Sequence, residues 1–510
     1  MTPILISTLS IEQLQISAIL TYTDFNKPLG SVMSKDSQAQ SAKPLYAKIA
    51  DELTDMIASG VLAEGDRLPS LRMLSKSHAV SVPTVVEAYR VLEDRGVVTP
   101  LNRSGYYVKR REDFFQPPKP VRPIGSPTKI MQKEATQLVM TAAQNPGLLP
   151  FGAAVPSPSL FPITRLKSIM SRLLRHKPEL LGSYDFAPGS MELRRELARR
   201  SLRWGCTIDP EAIVVTNGCV EAISLALRAV TKPGDIVAVE TPTYYGFLSL
   251  LEVLGLQALE IPCDPVNGLS VDEFTKALRK FDVTACLLCS TVSNPTGATI
   301  PVKKKRELAE LACRHDFMII EDATFADLHF NGETLSIKSF DTDGYVILCA
   351  SATKTTAPGL RLGWVEGGKV SDQISYLKRV SSIGQPQINQ LVLAEYMASG
   401  GYERHLRQLV RTIRKQLDQH CTAIADSFPS GLTAVPPSGG FLLWLELSSE
   451  IDGLELHNRA LSFGIGLAPG EMFSANGLFS NYLRVNCGQV YTDEIRTAYA
   501  RLGSLLTDMM

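Results

Sequence analysis

The 510-residue sequence has no excess of either charge: 52 Lys and Arg stand against 52 Asp and Glu, with only seven histidines. Such a chain has no global field to draw in a polyanion, so any nucleic-acid contact must come from a local patch. No run of about 18 uncharged apolar residues occurs, which excludes a membrane-spanning helix by length. Met1 to Leu20 lacks both a basic n-region and a small-residue cleavage site, so it does not read as a secretory signal. The nine cysteines form no spaced framework. Cys286 and Cys289 make a C-x-x-C pair, but inside an apolar run and without a second pair or a nearby histidine to complete a metal site. Packing in a core is their expected role. Free thiols without an export signal point to the cytoplasm. Internal repeats are lacking too.

What is present is a globular composition, 45% apolar and 20% charged, in a chain long enough for more than one domain. Residues 1–42 are expected to form a weakly structured extension, polar from Ser31 to Ser41, with Met33 as a second candidate start. From Lys43 the pattern changes. Leu45, Ile49, Leu53, Met56 and Ile57 recur at helical spacing up to Gly60. Ser70 is placed to cap a short helix, Leu71 to His78, and Ser81 to cap a third running to Arg95, with Pro83 in its first turn. Two β-prone runs follow, Val97 to Thr99 and Tyr106 to Val108, joined by a turn over Asn102 to Gly105. Three helices and a hairpin make a winged helix-turn-helix over residues 43–111. This segment holds 11 Lys and Arg against 8 Asp and Glu, a modest net of +3.

The proline-rich run from Gln116 to about Pro127 reads as a semi-rigid linker, followed by a helical stretch from Thr128 to Gln144. Residues 112–145 thus join the head to a body over 146–510. In the body, apolar strands (Ile213–Thr216, Ile236–Glu240, Cys286–Ser290, Met318–Ile320, Val346–Cys349) alternate with helices. That alternation predicts an α/β fold with a mainly parallel sheet. A largely helical run from Leu377 to about Asp426 leads to a smaller α+β portion with strands over Phe441–Leu447 and Tyr482–Val485. Ligands gather at the carboxyl ends of strands in such sheets.

One strand end stands out. The apolar run Tyr345–Ala350 leads into Ser351-Ala-Thr-Lys354-Thr-Thr-Ala-Pro-Gly-Leu-Arg361-Leu-Gly-Trp364. A lysine among Ala, Thr and Ser at a strand end has little room to reach water. Desolvation would lower its pKa and make the amine a nucleophile. The bland alternative is a surface loop with an ordinary lysine. The pattern S-x-x-K followed by G-x-R-x-G-W resembles the cofactor-lysine segment of the fold-type I aminotransferases, which implies pyridoxal 5′-phosphate (PLP) held on Lys354 as a Schiff base.

That resemblance implies a site around the lysine. For the phosphate it points to Gly218 and Cys219 in Thr216-Asn-Gly218-Cys219, which opens a helix after a strand, and to Ser351 and Arg361. Tyr184 matches a position that reaches the phosphate from a neighbouring subunit, implying a homodimer with shared sites. Asp322 is expected at the pyridine nitrogen, with Glu321 structural beside it. Asn294, in Asn294-Pro-Thr-Gly297, is expected at the phenolic oxygen and near the substrate. Tyr244 is the stacking candidate, with Tyr245 its rival. Arg484 is placed like the arginine that grips a substrate carboxylate. One position departs: Thr324 stands where relatives carry a tyrosine, which bears on turnover rather than on cofactor binding.

The head resembles the GntR family of bacterial regulators through P-L-Y-x-x-I-A-x-x-L, I-x-S-G-x-L-x-x-G-D-R-L-P-S-x-R and V-S-x-x-T-V, between Pro44 and Val108. In that family the third helix enters the major groove, and Arg72, Ser81, Thr84 and the wing around Gly105 map onto DNA contacts. Val82 and Val86 depart, where many members carry arginine. A GntR-type head on an aminotransferase-like body is the layout of the MocR subfamily. The layout implies a PLP-dependent regulator that binds an operator and senses an amine or amino-acid effector, or PLP itself. The alternatives are a working aminotransferase and a regulator with a vestigial PLP site.

Overall fold

The Ser70 and Ser81 hydroxyls do what their positions in the sequence require. Ser70 Oγ accepts from Met73 N at 3.2 Å and opens the helix Leu71–Ser77. Ser81 Oγ accepts from Thr84 N at 3.3 Å and opens Val82–Asp94, with Pro83 in the first turn. The computed structural model describes residues 44–58, 61–63, 65–101, 105–108, 125–130, 134–142, 145, 147–332 and 334–510. The expected stop at Gly60, the turn residues 102–104, the extension 1–42 and most of the linker lie outside the described residues.

In the head, Leu45–Ala58 packs on the third helix through Ile49, Ala50 and Leu53 against Val85, Ala88, Tyr89 and Leu92. The wing strands are Val98–Leu101 and Gly105–Val108, antiparallel with Val98 opposite Val108 and Leu101 opposite Gly105. They run longer than expected because Pro100 sits on a two-stranded ribbon, where its missing N–H leaves no ladder bond unmade. Tyr89 fastens the parts: its hydroxyl donates to Pro69 O at 2.5 Å, and its ring meets Tyr106 edge-on at 4.9 Å.

The body is built on one large sheet. Its strand order is Thr128–Lys129, Gln257–Asp264, Ile236–Thr241, Val283–Leu288, Met318–Asp322, Val346–Ser351, Gly363–Glu366 and Ile213–Thr216. The strands from Gln257–Asp264 through Val346–Ser351 run parallel, and Gly363–Glu366 is antiparallel to both its neighbours. The near-continuous Val, Ile, Leu and Ala of the central strands is buried on both faces, as a sheet covered by helices requires. Two expectations shift. The strand placed at Cys286–Ser290 is Val283–Leu288, because Cys289 N donates to the Glu240 side chain at 2.8 Å instead of to a ladder. The helix expected from Thr128 begins at Glu134, while Thr128 and Lys129 pair with Ala258 and Gln257 as an edge strand.

Three helices, Ser371–Ser382, Gln387–Ala398 and the 27-residue Gly401–Ser427, lead to a smaller four-stranded antiparallel sheet. Its central strands are Leu442–Glu446 and Tyr482–Asn486. Phe151, Leu417, Ile424, Leu443, Leu483 and Tyr499 fill the core beneath it.

Candidate cofactor site

Strand ends converge on a cavity of about 230 Å3. Its wall includes Cys219, Tyr244, Asn294, Asp322, Thr324, Lys354 and Arg361. Parallel neighbours bring Asp322 beside Cys349 in register, so the carboxylate and the lysine loop leave the sheet at one edge.

Lys354 Nζ donates to Ala154 O at 2.6 Å and lies 6.0 Å from the centre of the Phe325 ring. Burial, aided by the nearby Arg484 cation, pulls its amine down to about 8. At pH 7 about a tenth of this lysine is therefore an uncharged nucleophile, far more than for a solvated lysine. Asp322 Oδ1 accepts from Thr324 N at 2.8 Å and from Cys219 Sγ at 3.3 Å. Burial raises its pKa against those hydrogen bonds; a cation set against it would hold it ionised. Glu321, on the opposite strand face, accepts from Ser290 Oγ, Ser336 Oγ, Ile337 N and Lys338 N, a structural role as expected.

Gly218 precedes the helix Cys219–Val230 at φ +82°. A Cβ here would lie 2.7 Å from Arg361 Nη2. Only glycine leaves the helix N-terminus open beneath the guanidinium, which is a cradle for an anion. Arg361 is itself anchored through Nη2 to Asn217 O at 3.1 Å. Ser351 Oγ is buried and pairs with Thr353 Oγ1, and it accepts from Thr353 N at 2.9 Å. Thr353, not Ser351, lines the cavity.

The two tyrosines divide. Tyr244 lines the cavity, its ring folded over Gly246, where a Cβ would lie 2.3 Å from Tyr244 Cε1. Tyr245 faces away, toward Phe473 and the Arg484 guanidinium 5.8 Å from its ring. Arg484 is fully buried and has no carboxylate partner among the described residues. Its Nη1 donates to Asn294 Oδ1 at 3.1 Å and its Nη2 to Gly152 O at 2.5 Å. Tyr184 does not enter this cavity: it is 77% exposed, beside an exposed Phe186. Thr324, the residue the sequence set apart from its tyrosine-bearing relatives, lines the cavity, and its buried hydroxyl has no well-aligned partner among the described residues.

These groups fit PLP in kind: an amine for the aldehyde, a glycine and arginine cradle for the phosphate, a buried acid for the ring nitrogen and an aromatic for the ring face. Sequence reasoning missed Thr353, Phe325 and the Ala154 carbonyl. Thr353 was legible within the S-x-x-K run; Ala154 was not, because it meets Lys354 only through the fold.

On the head, Arg72 and Ser81 are exposed and Thr84 is half-buried. Gly105 opens the second wing strand at φ +113°, its Cα side against Arg67 Nε, 3.3 Å from where a Cβ would stand.

Comparison with known proteins agrees with both halves. Residues 45–108 match the family model described as bacterial regulatory proteins, gntR family, and residues 162–502 match aminotransferase class I and II. The uncharacterized HTH-type transcriptional regulator YjiR of Escherichia coli (strain K12) is 36% identical over 90% of this chain and 98% of its own. YdcR of the same organism, described in the same words, is 34% identical over 91% and 99%. Among solved structures, a Pyrococcus horikoshii kynurenine aminotransferase, crystallised with PMP, has a TM-score of 0.69 and 26% identity, covering 75% of this chain and 96% of that one. The chain belongs to the GntR family of transcription regulators, in the MocR subfamily that joins a winged helix-turn-helix to a fold-type I aminotransferase domain.

Proposed function

We propose that this protein is a one-component transcription regulator that holds PLP around Lys354, binds operator DNA through its head and responds to an amine bearing a carboxylate. The observation that carries the reading is the meeting in one cavity of the desolvated Lys354 amine, the buried Asp322 carboxylate and the Arg361 guanidinium, against which Gly218 lies just outside the wall, in a chain with a GntR-type head. When bound, PLP supplies an aldehyde for an amine and a ring that withdraws electrons. Lys354 offers that aldehyde its neutral amine. Asp322 keeps the ring nitrogen protonated. Gly218, Cys219 and Arg361 hold the phosphate, with Ser351 steadying the loop through Thr353. Tyr244 covers the ring face. Asn294, its Oδ1 engaged by Arg484, has its amide N–H2 left to donate and would hold the phenolic oxygen. Arg484 takes the effector's carboxylate, which favours an amino acid.

In this reading residues 43–111 are the DNA-binding head, 112–145 the linker and linking helix, and 146–510 the effector body, behind an N-terminal extension of 1–42. Tyr184 completes the phosphate site of a second copy in a homodimer. Arg72, Ser81, Thr84 and the wing near Gly105 contact the operator, Ser81 through the same hydroxyl that caps the helix.

Mobility shifts with the full-length protein and duplexes from upstream of its own coding sequence test this. An amino acid should change operator affinity at fixed salt. Lys354→Ala should bind the operator as the parent does and lose that change. A variant that keeps the full response would overturn sensing through Lys354. Arg72→Ala should bind more weakly and flatten the salt dependence.

Amino-group transfer to a 2-oxo acid is the second reading, favoured by the complete set of Lys354, Asp322, Asn294 and Arg484. Oxo-acid exchange assayed on the purified protein separates the two, with slow exchange expected because Thr324 offers no phenol.

A further inference from the structure

The third helix of the head presents an apolar surface where a DNA-reading helix is usually polar. Val85, Ala88, Tyr89 and Leu92 are buried in the head core. Val82 and Val86, four residues apart and so stacked on one face, are each 40% exposed. They occupy the first turns, the part of such a helix that meets base edges. The outward polar groups beside them are paired with one another yet stay at the surface, so they can still reach the backbone. Ser81 and Thr84 share a 2.8 Å hydrogen bond, and Arg90 pairs with Glu87 at 3.6 Å.

Resting on the regulator reading above, we propose that Val82 and Val86 read thymine methyl groups in the major groove, so that the operator half-site carries thymines at the two positions they face. Four base-pair edges are available there. Guanine offers two acceptors, cytosine a donor, adenine one of each; thymine alone adds a methyl group to its acceptor. A valine pressed against guanine or cytosine would strip water from polar atoms and return no hydrogen bond. Against thymine it buries methyl on methyl. Val is β-branched and holds essentially one rotamer in a helix, so its methyls are presented without further ordering. An arginine at either place would select guanine by a bidentate contact; here that option is absent. Specificity would then come from shape and apolar contact, with Arg72 and the wing supplying phosphate contacts.

The test uses the full-length protein. Its preferred duplex is selected from a random pool, and each thymine is then replaced singly by uracil, which removes only the methyl. Two replacements per half-site should each weaken binding about fivefold, within the range of single-position effects at such interfaces. Val82→Ala and Val86→Ala should each weaken binding to the thymine duplex and lose sensitivity to uracil at one of the two positions. Both side chains are exposed, so the head should fold in either variant, as circular dichroism would check. Tight, sequence-specific binding that ignores every uracil replacement would overturn the inference while leaving the regulator reading intact. So would valine variants that keep the parent's sensitivity to uracil. A chain that selects no duplex would overturn both.

Discussion

Arg484 reaches across 190 residues of sequence to donate to Asn294 Oδ1 at 3.1 Å, and it does so with its guanidinium fully buried and no carboxylate against it among the described residues. Burial lowers its pKa, a sign that the cation is held at a cost in hydration. An anionic ligand group would relieve that cost. Amino acids should therefore bind, and amines of the same skeleton without the carboxylate should bind far more weakly. Arg484→Gln should erase the difference, by about 2–3 kcal/mol for loss of a buried charge-assisted contact. Calorimetric titration of the PLP-loaded protein with matched pairs checks this; equal affinity of the parent for both members of a pair would remove Arg484 from the effector site.

Lys354 titrates at about 8 because burial disfavours its charged form. Attachment of PLP to the cofactor-free protein needs the neutral amine. Its rate should climb as pH rises through about 8 and level off above. Borohydride should fix the cofactor on this residue, and Lys354→Ala should be colourless. Stopped-flow absorbance across a pH series reads the profile; a rate independent of pH between 6 and 9, roughly the span over which this amine changes charge, would contradict it.

Asp322 is buried and receives hydrogen bonds from Thr324 N and Cys219 Sγ. With a protonated ring nitrogen beside it, it gains a charge partner. Asp322→Asn should weaken PLP binding by about 3 kcal/mol, a hundredfold or more, as for one partner removed from a buried pair. Equilibrium dialysis gives the affinity directly. Unchanged affinity would assign the ring nitrogen to another acid.

Tyr184 lies exposed and outside the cavity of its own chain. If it serves a second copy, Tyr184→Ala and Lys354→Ala are each defective in both sites of a homodimer, while a mixed dimer regains one intact site. Mixing the two variants under conditions of subunit exchange should restore borohydride-fixed cofactor with native phosphate-site affinity at up to half the parental level in each mixed dimer. No gain on mixing would argue for a different phosphate partner.

Glu240, one residue before the end of the strand Ile236–Thr241, is fully buried, with Oε2 accepting from Cys289 N and Ser293 Oγ, and burial raises its pKa to about 8. Its unfolded value is near the ordinary 4.5. The folded chain then binds the extra proton, so this contribution to stability is complete below pH 4.5 and falls away as pH rises through about 8. Glu240→Gln should flatten the decline in unfolding free energy between these limits, by an amount on the order of a few kcal/mol at the alkaline end. Thermal denaturation at a series of pH values gives the comparison; parallel curves for parent and variant would show that Glu240 does not titrate in this range.

The helices of the head, the parallel strands and the lysine loop were legible because each depends on neighbours a few residues away. Ser70 and Ser81 cap the helices that follow them, and a glycine at 218 permits the turn into a helix wherever the rest of the chain lies. The motif around Lys354 likewise names its own residues. Tertiary structure alone decided the rest. Ala154 meets Lys354 across 200 residues, and Gly152 meets Arg484 across 332. Tyr244 and Tyr245, adjacent and alike in sequence, part because one ring folds over Gly246 into the cavity and the other packs on Phe473. Thr128 and Lys129 leave the expected helix because an edge strand, Gln257–Asp264, offers them hydrogen bonds that no local pattern announces. Local preference is worth tenths of a kcal/mol per residue up to about 1. Where a distant partner offers burial or a ladder, the partner decides.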